Sequence, residues 1–208
     1  MQYEYLKNMK IVIIKYNAGN IMSVDYALQR FGIKAEVTND LEKIQKADKV
    51  IFPGVGEAST TMAYLKEHKL DVILRSLKQP VLGICLGMQL MCRHSEEGNT
   101  DCIGIFGEEV KLFIPEPGNK NITKVPHMGW NDIYNLKSPL FNLDIENQYV
   151  YFVHSYYAAL GDDTAATANY TEPFSAAMKK DNFYATQFHP EKSGPIGAQI
   201  LKNFIEKC

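Results

Sequence analysis

Through the first half of the chain, short apolar runs alternate with longer stretches of helical periodicity. Lys10–Lys15, Lys49–Phe52 and Val81–Cys85 read as strands, and Ile21–Phe31, Thr60–Leu77 and Gly87–Ser95 as helices. That alternation predicts βαβ units around a parallel sheet. Gly32 follows the first helix as its expected C′ residue. Pro53 and Pro80 fall at expected element boundaries, where a missing N–H does little harm. From about Gly107 the character changes. Runs at Glu109–Phe113, Gln148–Val153, Ala165–Asn169, Ser175–Lys179 and Phe183–Gln187 follow one another with turns between, which predicts an added antiparallel sheet. Ile114–Lys124, with Pro115, Pro117 and Gly118, reads as an exposed loop, and a helix over Pro195–Lys207 closes the chain. The expected fold is α/β, with no repeat and no linker long enough to split the core.

Composition narrows the function classes. With 208 residues, 46% hydrophobic and 22% charged, one large domain is expected and intrinsic disorder is excluded. Twenty-two basic against 24 acidic residues give a formal charge of −2, without the basic excess of a nucleic-acid binder. The longest apolar runs, such as Ile11–Ile14 and Val150–Val153, fall far short of the roughly 18 residues of a membrane span. Four unevenly spaced cysteines (Cys85, Cys92, Cys102, Cys208) make neither a secreted framework nor a CxxC metal site, and the first eight residues lack the apolar core of a signal peptide. A cytoplasmic protein without metal is expected.

Cys85 is the cysteine that needs an explanation. In Gly83-Ile84-Cys85-Leu86-Gly87 a thiol stands between two glycines, after an apolar strand and before a helical pattern: the cysteine form of the nucleophile elbow. The glycines allow a sharp strand-to-helix turn, and the helix N-terminus aimed at the sulfur favours a thiolate. By itself the motif suits a buried core cysteine equally well. Gln187-Phe188-His189-Pro190-Glu191 shifts the balance, because a histidine and a carboxylate two apart in an extended segment project to the same side, where Glu191 can orient the imidazole and His189 can take the thiol proton. Pro53-Gly54-Val55-Gly56 follows the strand beside the elbow. Its backbone can present an N–H to an oxyanion, with the Leu86 amide as second donor. A phosphate cradle is disfavoured, since neither a Walker lysine nor G-x-G-x-x-G is present.

These blocks resemble the triad-type (class I) glutamine amidotransferases. Gly83-Ile84-Cys85-Leu86-Gly87-Met88-Gln89-Leu90 and His189-Pro190-Glu191 match the two catalytic blocks of that family in its order of Cys, His, Glu. Within it, the likeness is nearest to the glutaminase subunits of imidazole glycerol phosphate synthases. The features that narrow it are Gly19-Asn20 with Ser23-Val24, Pro53–Gly56, Pro126-His127-Met128-Gly129-Trp130-Asn131, Tyr151-Phe152-Val153-His154-Ser155-Tyr156 and Glu191-Lys192-Ser193. The likeness implies a three-layer sandwich: a central, mostly parallel sheet flanked by helices, plus a smaller antiparallel sheet. The amidotransferase domain would span 9–208 behind an N-terminal extension of residues 1–8.

The resemblance further implies a substrate, L-glutamine, and no cofactor. Cys85 would attack the carboxamide, His189 would act as base and then acid, and Glu191 would hold the histidine. Gly54, Val55, Gly56, Leu86, Gln89, Ser155 and Tyr156 match oxyanion and glutamine-binding positions. The ammonia would pass to a (βα)8-barrel synthase subunit in a heterodimer, with Asn20, His127, Trp130, Asn131, Tyr151, His154 and Lys192 at partner-facing positions. Such a glutaminase is expected to be nearly silent until its partner docks, with a peptide flip at Val55, flanked by glycines, completing the oxyanion hole. One departure stands out: Lys15-Tyr16-Asn17-Ala18 replaces the family's Asp-Tyr-Gly-like run. It leaves open a paralogous glutaminase that feeds amidation of a cell-surface sugar. An unrelated cysteine hydrolase with the same elbow is a further alternative.

Overall fold

The computed structural model describes residues 9–16, 20–115 and 124–208. The expected extension over residues 1–8, the Asn17-Ala18 departure and most of the expected Ile114–Lys124 loop lie outside them.

In chain order the strands are β1 (Ile11–Ile14), β2 (Glu36–Thr38), β3 (Lys49–Gly54), β4 (Val81–Cys85), β5 (His94–Ser95), β6 (Thr100–Asp101), β7 (Glu109–Leu112), β8 (His127–Ile133), β9 (Gln148–His154), β10 (Tyr156–Ala158), β11 (Thr164–Asn169), β12 (Pro173–Lys180) and β13 (Phe183–Thr186). The helices are α1 (Ile21–Gln29), α2 (Leu41–Gln45), α3 (Ala58–Glu67), α4 (Leu70–Ser76), α5 (Leu86–Met91) and α6 (Gly194–Lys207). The central sheet runs β11-β12-β13-β4-β3-β1-β2. Its pairs from β13 across to β2 are parallel, and β11 and β12 add an antiparallel edge.

Strand periodicity explains the three layers. In β1, Ile11 and Ile13 face one side of the sheet with α1 and α6, whereas Val12 and Ile14 face the other with α2, α3, α4 and α5. Both faces are covered, so the strands read as unbroken apolar runs. A smaller sheet, β10-β7-β5-β6, and the β8–β9 ribbon complete the fold.

Four expectations are corrected. The single helix expected over Thr60–Leu77 is two, broken at Lys69, which has a left-handed φ of 58°. The cause is the five-residue step from Leu65 to Leu70: both are fully buried, and a straight helix would bring them out of phase. The helix expected to reach Ser95 stops at Met91, leaving Cys92 just beyond it. The carbonyls of Leu90, Met91 and Cys92 accept from Ile103, Gly104, Ile105 and Phe106, so tertiary partners take what a next helical turn would have used. Pro53 lies within β3 rather than at a boundary. The last three predicted strands extend the main sheet instead of forming a separate one. The parallel pairing of β13 with β4, Thr186 opposite Ile84, carries the Gln187–Glu191 segment to the sheet edge where Cys85 sits.

Candidate active site

β4 ends on Cys85 and α5 starts on the next residue, so the turn falls on the cysteine itself. Cys85 adopts φ 54° and ψ −112°, a backbone conformation that side-chain-bearing residues seldom take. Close packing holds it there. A Cβ on Gly87 would lie 2.0 Å from the Phe52 carbonyl oxygen, so α5 rides directly on β3. A Cβ on Gly54 would meet the Tyr16 hydroxyl at 2.5 Å and the Gly87 amide nitrogen at 2.8 Å. The Tyr16 hydroxyl donates to the Pro53 carbonyl. Burial, reinforced by the nearby Cys85, pushes its pKa far up and keeps it a neutral donor.

His189 and Glu191 arrive differently from the expected extended segment. Pro190–Lys192 form a single 3-10 turn, closed by Lys192 N–H to the His189 carbonyl at 3.0 Å and by the Ser193 hydroxyl to the same oxygen at 2.7 Å. The His189 amide donates to the Tyr151 carbonyl at 3.0 Å. The turn folds Glu191 back, so that its Oε1 accepts from His189 Nδ1 at 2.7 Å, with both side chains fully buried. Nε2 is thereby left as the free ring nitrogen, without a hydrogen-bond partner among the described residues. Burial pulls the imidazole toward its neutral form, but Cys85 and Glu191 outweigh it and push its pKa up to about 10. Cys85 Sγ lies 3.9 Å from the Val153 carbonyl and 3.7 Å from Gln187 Nε2.

In front of the sulfur opens a cleft of about 290 Å³. Val55, Gly56, Leu86, Gln89, Ser155 and Tyr156, all expected at the substrate site, line it, and Gly54 is buried behind them. Gly56 has φ 128°, a glycine conformation, with open space around the position a Cβ would take. Gln89 donates from Nε2 to the Tyr156 carbonyl at 2.8 Å and to Gln187 Oε1 at 3.0 Å. Sequence reasoning missed Glu97 and Pro126 in the cleft wall. Glu97 lies in the β5–β6 turn, two residues beyond the helix expected to end at Ser95, so periodicity carried no signal for it. Its Oε2 accepts from the Ala58 amide at 2.8 Å, and burial pushes its carboxyl pKa up.

The residues expected to face a partner divide in two. Trp130 is 55% exposed and meets Tyr151 edge-on, with centroids 6.1 Å apart, on a ribbon face that also exposes Met128 and Tyr149. Lys192 is exposed, and partly exposed Asn131 donates to the Asn169 carbonyl at 2.8 Å. Asn20, His127 and His154, in contrast, are buried in the free chain, with His154 reaching the cleft wall. Asn20 Nδ2 sits 3.4 Å from Glu191 Oε1. The two histidines pair at 3.1 Å among Phe113, Phe152, Tyr170 and Phe174. Burial lowers them to about 4 for His127 and about 3 for His154, so both are neutral at pH 7. Among the described residues no cluster of His, Cys, Asp or Glu suits a metal ion, and no helix is long and apolar enough to cross a membrane.

The geometry has counterparts among known proteins. Residues 12–208 match the family model for glutamine amidotransferase class-I. An imidazole glycerol phosphate synthase subunit HisH from Bacteroides fragilis is 63% identical over 198 residues, which cover 95% of this chain and 100% of that protein. Its counterpart from Haemophilus influenzae is 46% identical, covering 96% of this chain and 98% of its own. A crystal structure of a glutamine amidotransferase superposes with a TM-score of 0.70 at 17% identity, covering 94% of this chain and 97% of that one, a likeness of fold. The chain belongs to the class-I glutamine amidotransferase family, a family of enzymes. Within that class it groups with the HisH subunits of imidazole glycerol phosphate synthase.

Proposed function

We propose that this chain is the glutaminase subunit of an imidazole glycerol phosphate synthase, acting in histidine biosynthesis. It hydrolyses L-glutamine to glutamate and ammonia and delivers the ammonia to a (βα)8-barrel, HisF-type partner. The observation that carries the reading is the convergence, at one sheet edge, of Cys85 in its strained elbow with the sealed His189–Glu191 pair. Family membership and the close likeness to HisH subunits support it.

Cys85 Sγ attacks the carboxamide carbon of glutamine, and His189, holding the thiol proton on Nε2, passes it to the leaving nitrogen. Ammonia departs and a glutamyl thioester remains. His189 then takes a proton from water, the resulting hydroxide adds to the thioester carbon, and glutamate leaves as the sulfur is released. Glu191 keeps Nδ1 protonated and the ring oriented throughout. The Leu86 amide and an N–H of the Pro53–Gly56 segment receive the oxyanion; one such donor is worth on the order of 10²–10³ in rate. Glu97 in the cleft wall is the carboxylate suited to the substrate α-ammonium.

In the isolated chain the sulfur lies beside Val153 and Gln187, and Nε2 has no described partner. The freedom of the backbone at Gly56 fits a glutaminase activated by docking. The partner surface is the β8–β9 ribbon with Trp130, Tyr151 and Lys192, where an exposed aromatic makes an interface anchor. Four unpaired cysteines fit a cytoplasmic setting.

The test is glutamate release with and without the histidine-pathway barrel, and with the barrel of a sugar-amidating paralogue. Activity is expected to rise at least tenfold with the first barrel only, and Cys85→Ala should abolish it, a loss of at least about 10⁴-fold. Stimulation by the paralogue's barrel alone would overturn the pathway. Retained activity in Cys85→Ala would overturn the chemistry.

A further inference from the structure

Gln187 lies two residues before His189, fully buried, and the mechanism above does not use it. Its backbone N–H is tied to the Ala176 carbonyl at 2.8 Å, which fixes where the side chain starts. The polarity of the amides around it follows from one backbone atom. The Tyr156 carbonyl can only accept, so the Gln89 amide must turn its nitrogen toward it. The second N–H of that nitrogen then meets Gln187, which must answer with its oxygen, Oε1, at 3.0 Å. Gln187 is left to aim its own nitrogen at Cys85 Sγ, 3.7 Å away. Flipping either amide would set two acceptors, or two donors, face to face in a buried site, each left unsatisfied. The Nδ1 of neutral His154 donates to the same Tyr156 carbonyl at 2.7 Å, a second donor that keeps this oxygen in place.

We propose that Gln187 is a positioning residue that sets hydrogen-bond polarity at two places at once. It directs an N–H onto the Cys85 sulfur, and it locks Gln89 with both amide hydrogens engaged, so that Gln89 offers the cleft only its oxygen. The first effect stabilises negative charge on sulfur, both before attack and when the thioester breaks. The second makes Gln89 an acceptor for an N–H of the substrate. The inference rests on the glutaminase reading, and it adds a residue to that site.

Two variants in the full complex separate these effects. Gln187→Glu keeps an acceptor for Gln89 and replaces the donor to sulfur; Gln187→Met removes both. Hydrogen bonds to charged groups imply roughly a tenfold to hundredfold loss when the donor goes. In Gln187→Glu, kcat and the rate of Cys85 alkylation by iodoacetamide at pH 7, followed by peptide mass mapping, should both fall by about that factor. KM for glutamine should stay within about twofold. In Gln187→Met the same losses should come with a KM raised by roughly fivefold or more. Thermal melts of both variants report the folded fraction. Kinetic losses that merely track unfolding would overturn the proposal, as would a folded Gln187→Met complex with wild-type alkylation and KM. A wild-type complex that releases no glutamate would overturn the glutaminase reading itself, whereas alkylation of Cys85 in the variants would still decide the donor to sulfur.

Discussion

The elbow and the β8–β9 ribbon use apolar and glycine residues in opposite ways. At the elbow, every residue of α5 is buried, and the glycines exist to let backbones touch. On the ribbon, Met128, Trp130 and Tyr149 stand more than half exposed, and Gly129, at φ 140°, has open space around it. Close packing over-determines a strained cysteine; an uncovered aromatic face leaves interaction energy unspent until another surface covers it. The difference separates a region whose geometry is held by contacts within this chain from one whose apolar face no contact within the described residues covers.

The largest expected effect cuts the chemistry and spares the ribbon. Glu191→Gln should lower kcat about a thousandfold or more in the complex, by losing the tautomer and the charge that hold His189, while partner affinity by titration calorimetry stays unchanged. The same pair sets a pH dependence. The folded pKa of His189 is raised from 6.5 to about 10, so the stabilisation from its protonated form is fully present below about 6.5 and lost as pH rises through about 10. Melting temperature should therefore fall between pH 7 and 10, and fall less in Glu191→Gln.

Next comes Gly87→Ala, which breaks the packing side of the comparison. With a Cβ only 2.0 Å from the Phe52 carbonyl, β3 and α5 have to separate. A loss of about 3 kcal/mol or more is expected by urea denaturation. A variant as stable as the parent would show that the elbow does not depend on that contact. The smallest effect isolates the ribbon. Trp130→Ala should weaken barrel binding by about 2 kcal/mol while leaving the stability of the free chain within about 0.5 kcal/mol.

Parts of this architecture were legible in the chain because local rules decide them. β4 and the last helix were read close to their observed bounds, and Cys85 between its glycines announced the elbow. The helix break at Lys69 was readable in principle, from the phase slip between Leu65 and Leu70. The early end of α5 was not, since its cause is a set of donors about a dozen residues downstream. Asn20, His127 and His154 were expected at partner-facing positions from the family resemblance alone. Burial turned them inward, and only the aromatic surroundings of the two histidines explain why.

The sequence by itself determined the alternating strands and helices, the cysteine at its turn and the histidine with its carboxylate, because periodicity, glycine geometry and side-chain chemistry are properties of neighbouring residues. Only the tertiary structure decided that β13 lies parallel to β4, that a 3-10 turn folds Glu191 onto His189, and that the Tyr156 carbonyl sets the polarity of Gln89 and Gln187 beside the sulfur. Those arrangements join residues up to about a hundred positions apart, and what fixes them is strand pairing together with the matching of buried donors to acceptors, conditions that exist only in the folded chain.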